Sequence, residues 1–466
     1  MKNRVKKLCA LLLAFSMVFG IGLVPPSNAE MVESPETVNI TILGTSDVHA
    51  FIYPWEYKLG EEDSDAGLAK VYSVVKEVMD ENPDAILIDN GDTIQGTELT
   101  DVYKNDDTTV FPIIDVMNYM EYDSWTLGNH EFNYGLDVLE RIMADAEFPV
   151  IAANVYNDDG SNYVLPYIVK EINGIKIGIL GMVTPNIPRW DGDKVENLEF
   201  VSLIDDAKKW VKVLREDEKV DIVIASLHAG VEPEYWEDGG DGARAVAEQV
   251  PEIDAILAGH AHEDIEGELI NGVLIAEPKR YGNRVKRFDF IMEKNGDYWD
   301  LKEKTSYNYD TNSYEAAPEI LDLAEEYHQA TLDYVNTPIG EATGDFVPVG
   351  EIMGIPTAQI QDTALVDFIN KVQMKYTGAD VSLAALFISE SNLLEGPLTI
   401  KDAAYIYKYD NTLYETEVTG AELKSMMEWS ANYFNTYKPG DVTISFNPDI
   451  RGYNYDMFSG VEYDID

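Results

Sequence analysis

The chain has 466 residues, enough for two or three domains, and a formal charge of −51 from 85 acidic and 34 basic side chains. Such a field repels bulk nucleic acid and excludes a duplex-binding role, so an anionic substrate needs a local positive centre such as bound metal ions. Cys9 is the only cysteine, which removes thiolate ligands, thiol nucleophiles and disulfides from everything after it.

Lys2, Arg4, Lys6 and Lys7 precede an apolar run from Leu8 to Val24, and Ser27-Asn28-Ala29 supplies small residues for cleavage. This predicts a secretory signal peptide over residues 1–29. The alternative is a membrane anchor, because the apolar run approaches bilayer length. Cleavage is favoured by the small-residue exit. Without the four signal cations the charge becomes −55. The mature chain then carries no transmembrane segment and is secreted or held at the cell surface. Nothing in it points to a protein partner.

Residues 38 to about 295 alternate short β-type runs with helical stretches. Residues 67–79, 136–146 and 202–214 read as amphipathic helices. Residues 167–172 and 175–183 flank Asn173-Gly174, a strong hairpin signal. Five of the six histidines sit in polar turns directly after apolar runs. Asp47-Val48-His49 follows 38–43, Asn129-His130 follows 125–127, His228 ends 222–227, and His260-Ala261-His262 follows 255–258. A fifth turn, Asp89-Asn90-Gly91-Asp92, follows 85–88 and adds carboxylates. Imidazole and carboxylate are ligands for Zn, Mn or Fe, and loops meeting at one sheet edge can bring them within bonding distance. The pattern is that of a metal site, and of a two-metal one. Repeated strand, turn and helix indicate a layered α/β domain with its chemistry at strand ends.

Residues 296–316 are polar and Tyr/Asn-rich and read as a connector. A helix is predicted over 318–334, and His328 on it is taken as a surface or packing residue. A second domain begins near Ile339, with a helix over 363–376. Strand-like segments follow at 381–388, 411–418, 442–445 and 460–465.

The ordered series D-x-H, G-D, G-N-H-E, H, G-H-x-H resembles the calcineurin-like metallophosphoesterase superfamily. Two cations need a shared carboxylate between them, with imidazoles and an amide oxygen completing each shell. The resemblance implies that Asp47, His49, Asp92 and His262 hold one metal. Asp92 bridges to a second, completed by Asn129, His228 and His260. Two divalent ions, Zn, Mn or similar, are the implied cofactors. His130 would stabilise charge on the phosphoryl group or leaving oxygen as the catalytic residue. Each of these residues alone has a plainer reading: Asp92 as a turn residue, Asn129 as a helix cap, His49 or His228 as satisfied strand-end groups. Asp89 and Asn90 read as shaping their turn.

Residues 339 onward resemble the C-terminal domain of the secreted 5'-nucleotidase family. The fold implied is a layered β-sandwich flanked by helices, followed by a smaller α/β domain. Its boundaries are 38–296 for the phosphoesterase domain, 297–338 for the connector and linker helix, and 339–466 for the substrate-binding domain. The segments Tyr405–Leu413 and Tyr453–Gly460, with Gly128-Asn129-His130-Glu131-Phe132-Asn133-Tyr134-Gly135, resemble the branch acting on 2',3'-cyclic nucleotides and 3'-nucleotides. The 5'-nucleotidase branch usually carries Asp three residues after the catalytic His, where this chain has Asn133. In that family two aromatic rings grip the base. Tyr409 matches the first, with Asn411 as a hydrogen-bond partner. The second ring lies in a Gly-rich segment that this sequence, ending at Asp466, does not contain, so the C-terminal domain is expected to be incomplete. Nucleotides are the implied substrates, and nucleotide scavenging outside the cell the implied role. Two alternatives stay open: a 5'-nucleotidase or nucleotide-sugar hydrolase, and a surface nucleotide-binding module without turnover.

Overall fold

The computed structural model describes residues 35–407 and 412–465. The predicted signal peptide, Tyr409 and Asn411 lie outside these residues. Twelve strands build two six-stranded sheets: β1 Thr37–Thr45, β2 Ile86–Asp89, β3 Ser124–Thr126, β4 Val150–Ile151, β5 Tyr167–Ile172, β6 Ile175–Val183, β7 Ile222–His228, β8 Ala255–Ala258, β9 Asp264–Ile270, β10 Val273–Pro278, β11 Arg284–Asn295 and β12 Tyr298–Asp310. The first sheet has the order β12-β11-β1-β2-β3-β4 and the second β9-β10-β8-β7-β6-β5. β1 through β4 pair in parallel, as do β6, β7, β8 and β10.

The central strands are apolar on both faces because both faces are covered. Ile40, Ile42, Ile86 and Ile88 meet Ile177, Ile179, Ile222 and Ile224 between the sheets. The neighbours on the other face, Leu43 and Leu87, turn out toward helix α1 (Leu68–Glu81). Leu227 and Val223 turn out toward α2 (Leu203–Val213). Each such residue contributes ~1.5–3 kcal/mol on burial, and truncating one to Ala would cost ~2–5 kcal/mol through the cavity left. Period-two alternation between two apolar layers is what makes these strands near-continuous hydrophobic runs.

The predicted helices form close to their expected limits, as does the β5–β6 hairpin. Asn173 and Gly174 adopt φ values of 54° and 78°, as a two-residue hairpin loop requires. The linker helix α3 (Pro318–Val335) packs on the first domain. His328 stacks on Tyr53 at 4.0 Å and its Nδ1 shares a 2.8 Å hydrogen bond with the Tyr57 hydroxyl, so it is a packing residue.

The run expected to be a connector is instead β12, paired with β11 along its whole length. It is an edge strand whose Trp299 and Leu301 pack on the core while its other face meets solvent. Its polar composition masks that alternation.

The C-terminal region departs further. Of the four strand-like segments, only Ser382–Ala384 within 381–388 forms a strand, and it pairs with Met457–Ser459. The described part of 411–418 has no regular structure and is exposed throughout, and 442–445 and 460–465 carry no ladder. Phe446 makes only an isolated bridge to Phe434. β-type composition marks side chains that suit a sheet; it supplies no partner strand. A small core of Leu365, Val366, Leu386, Tyr433 and Met457 holds this region, with α4 (Ala364–Thr377) across it. No helix among the described residues is long and apolar enough to cross a membrane.

Candidate dimetal site

The turns after β1, β2, β3, β7 and β8 meet at one edge of the sandwich. Asp47, His49 and His262 form one cluster of possible metal-binding groups, and Asp92, His228 and His260 form a second. Asp92 Oδ2 lies 3.1 Å from His228 Nε2, 3.9 Å from His130 Nε2 and 4.0 Å from His49 Nε2. It therefore faces imidazoles of both clusters. Asn129 Oδ1 sits 3.2 Å from His228 Nε2 and 2.8 Å from His260 Nδ1. His49 and His262 bring their Nε2 atoms within 3.2 Å of each other. All seven ligand residues expected from the sequence are thus brought together.

The outer ring nitrogens of three histidines are fixed by hydrogen bonds. His49 Nδ1 donates to the Gln95 carbonyl and His228 Nδ1 to the Asn90 carbonyl, both at 2.7 Å. His260 Nε2 lies 3.2 Å from the Glu234 carboxylate. Each bond points the opposite nitrogen's lone pair inward, the way metal-binding histidines are oriented. Asp47, His49, Asp92, His260 and His262 all adopt φ between 52° and 69°. Such backbone costs of order 1–3 kcal/mol per residue and persists where the surroundings over-determine it. The glycines of these turns are obligatory. A Cβ on Gly259 would collide with Ser46 and Asp47, and one on Gly128 with the backbone and carboxylate of Asp92.

Asp47, Asp92 and His228 are almost fully buried. Burial, the largest single influence, would raise both carboxyls, but the imidazoles together exceed it (His228 and His262 for Asp47; His228, His130 and His49 for Asp92), and both carboxyls are held below their usual range. His228 is the counterpart: burial opposes its charge, yet Asp92 and Asp47 raise it to about 10. Burial drops His49 to about 3. The electrostatics of these groups thus favour a cation among them. A divalent cation satisfies that donor set better than a proton does, and its binding would release the proton.

Other groups hold the loops. Asp89 accepts from Thr45, Gly91 and Thr93, the turn-shaping part expected of it. Asn90 donates to the Leu227 carbonyl and accepts from Ser226, joining the two sheets beneath the site. Sequence reasoning gave Glu131 no part, although it stands inside G-N-H-E. Its carboxylate accepts four backbone N–H groups: Asp92 (2.8 Å), Thr93 (2.6 Å), Ile94 (3.2 Å) and Gly128 (2.5 Å). Burial and the nearby Asp92 push this carboxyl up. Asp191 is also new to the site, and no local motif marks it. On the rim, Trp190 lies against His260 with ring centroids 5.5 Å apart, and Tyr281 against His49 at 5.6 Å.

A calcineurin-like phosphoesterase family model matches residues 40–264, and a 5'-nucleotidase C-terminal domain model matches 338–466. The trifunctional nucleotide phosphoesterase protein YfkN of Bacillus subtilis is 31% identical over 521 residues, covering all of this chain and 35% of its own length. A crystal structure of that calcineurin-like phosphoesterase superposes with a TM-score of 0.61 at 30% identity, over 64% of this chain and 99% of the solved one. This chain belongs to the calcineurin-like phosphoesterase family. Its C-terminal region belongs with the 5'-nucleotidase C-terminal domains. A 2',3'-cyclic-nucleotide 2'-phosphodiesterase/3'-nucleotidase of Haemophilus influenzae is 29% identical over 489 residues, 94% of this chain and 74% of the relative. The 5'-nucleotidase precursor of Thermus thermophilus shares the fold, with a TM-score of 0.60 at 20% identity over 80% of this chain and 75% of that one. The chain spans about a third of the length of the Bacillus relative.

In the C-terminal region a cavity of about 1150 Å³ opens between α4 and the 412–420 segment, with Phe368, Val372, Leu423 and Met426 in its wall. Tyr407 and Thr412, which flank residues 408–411, also line it.

Proposed function

We propose that this chain is a secreted dimetal phosphoesterase that opens 2',3'-cyclic nucleotides to 3'-nucleotides and then removes the 3'-phosphate, serving nucleotide scavenging outside the cell. The observation that carries this reading is the buried Asp92 carboxylate facing both His/Asp clusters. Asp47, His49 and His262 would hold one divalent cation and Asn129, His228 and His260 the other, with Asp92 shared. When bound, such a pair supplies Lewis acidity and charge neutralisation for in-line attack of water on phosphorus. Imidazole with carboxylate and one amide oxygen suits zinc or manganese.

His130 is the proton-handling residue of this reading. Its Nδ1 lies 2.6 Å from Asn133 Oδ1, and its Nε2 is on the Asp92 side of the ring. Nε2 can therefore deliver a proton to the departing sugar oxygen. One residue serves both reactions, because each ends with a sugar oxygen leaving phosphorus. Tyr409 and Asn411 would hold the base, and a flat aromatic face accepts any base.

Asn133 in place of a carboxylate favours the cyclic-nucleotide branch over 5'-nucleotidases. So does the lack of any arginine between Thr363 and Ile388. The likeness to relatives named for 2',3'-cyclic-nucleotide activity supports the same branch. A panel of 2',3'-cyclic, 3'- and 5'-nucleotides, with metal content measured alongside, tests the reading. Faster turnover of 5'-monophosphates would reverse the branch. No hydrolysis by a fully metallated chain would make it a binding module. N-terminal sequencing of secreted protein should begin at Glu30; a chain retaining residues 1–29 would remove the cleaved leader.

A further inference from the structure

Asn133 does more than fill the place of a carboxylate. Its Nδ2 lies 3.0 and 3.2 Å from the two oxygens of Asp191, 58 residues further along the chain. Asp191 ends the short helix Ile187–Asp191, and only 6% of its surface is exposed. Lys194 Nζ lies 3.1 Å from Asp191 Oδ1 and 2.7 Å from the Asn133 carbonyl. The ammonium closes the loop of contacts behind the amide.

The donors and acceptors in this chain admit one arrangement. An ionised carboxylate only accepts hydrogen bonds. The Asn133 NH2 must therefore face Asp191, which turns Oδ1 toward His130. An amide oxygen only accepts, so His130 Nδ1 must carry the proton. That leaves His130 Nε2, on the Asp92 side, as the nitrogen that takes and returns a proton.

We propose that Asp191 is a positioning residue for the reaction: acting through Asn133, it fixes the tautomer and ring orientation of His130, so that a His–Asn–Asp relay replaces a direct His–Asp dyad. The inference rests on the catalytic part assigned to His130 above. It differs from a direct dyad in one consequence. The negative charge stays one side chain away from the imidazole, so the relay governs direction more than charge.

Asp191→Asn is the first variant. Its amide can donate or accept, so Asn133 is free to flip and Nδ1 loses its fixed partner. Turnover (kcat) should fall roughly 10- to 100-fold, the scale seen when partners behind a functional histidine are lost. KM and metal content should hold. Asn133→Asp alone sets two carboxylates against each other and should also be impaired. The double variant Asn133→Asp/Asp191→Asn rebuilds an acceptor facing His130 with an amide donor behind it. It should recover most of the turnover lost by the single variants.

A purely packing role would predict the reverse, with stability losses that add and no rescue. Ring 15N shifts of His130 give a reading independent of turnover: Nδ1–H in the wild type, a mixture of tautomers in Asp191→Asn. Unchanged kcat in Asp191→Asn, absence of rescue in the double variant, or an Nε2–H tautomer in the wild type would each overturn the relay. His130→Ala separates this from the parent reading. If that variant turns over normally, the catalytic part of His130 fails, whatever the tautomer shows.

Discussion

Replacing Glu131 with Gln tests how the two metal-side loops are tied together. In the native site Oε1 serves Thr93 and Ile94, and Oε2 serves Asp92 and Gly128. A glutamine has one accepting oxygen. It will keep the shorter pair, to Asp92 and Gly128, and turn its NH2 toward the other two donors. Two buried N–H groups are then orphaned at ~1–3 kcal/mol each, for a loss of roughly 2–6 kcal/mol. That is a large share of the 5–15 kcal/mol typical of a folded domain. Because Asp92 and Thr93 are adjacent, the loss also loosens the carboxylate that faces both clusters. Urea unfolding with and without metal, at alkaline pH where Glu131 is ionised, measures both effects. Weaker metal affinity should accompany the lost stability. A variant within ~0.5 kcal/mol of wild type, with unchanged metal affinity, would refute the clamp.

Asp92→Asn should lose metal and turnover together, because a neutral amide cannot balance two dications; near-normal turnover with both metals retained would remove the shared-ligand assignment. Tyr409→Ala should raise KM for nucleotides by roughly 5- to 150-fold, the worth of one base–aromatic stack, while a small aryl phosphate is hydrolysed as before. Equal damage to both substrates would assign Tyr409 to the fold instead. Lys286 is buried, and burial lowers its ammonium to about 7. Between that value and the unfolded 10.5 the unfolded chain binds one more proton, so stability attributable to this residue rises with pH across the window. The cost of the buried charge is fully present below about 7. Lys286→Met should flatten that rise in pH-dependent unfolding, and an identical slope in variant and wild type would contradict it.

The first domain was legible because its signals are local. Apolar runs alternating toward two covered faces identify β1, β2, β7 and β8, and the turns that follow carry the candidate metal-binding side chains within a few residues. Asn173-Gly174 specifies its own hairpin. β12 was misread because its apolar positions are diluted by Tyr, Lys and Asn. Only pairing with β11 gives them a face. The C-terminal strands failed for the complementary reason, since segments such as 442–445 have suitable side chains but no partner in the described residues. Glu131 could have been found, standing one residue after His130. Asp191 could not, because a contact over 58 residues leaves no periodicity to read.

The most direct test is metal content and turnover measured on the same protein as a chelator is titrated in. Two divalent ions per chain are predicted, with phosphoesterase activity falling as they are removed and returning when Zn or Mn is restored. Full turnover by chains holding less than one metal equivalent, or turnover unchanged after complete chelation, would contradict a dimetal site.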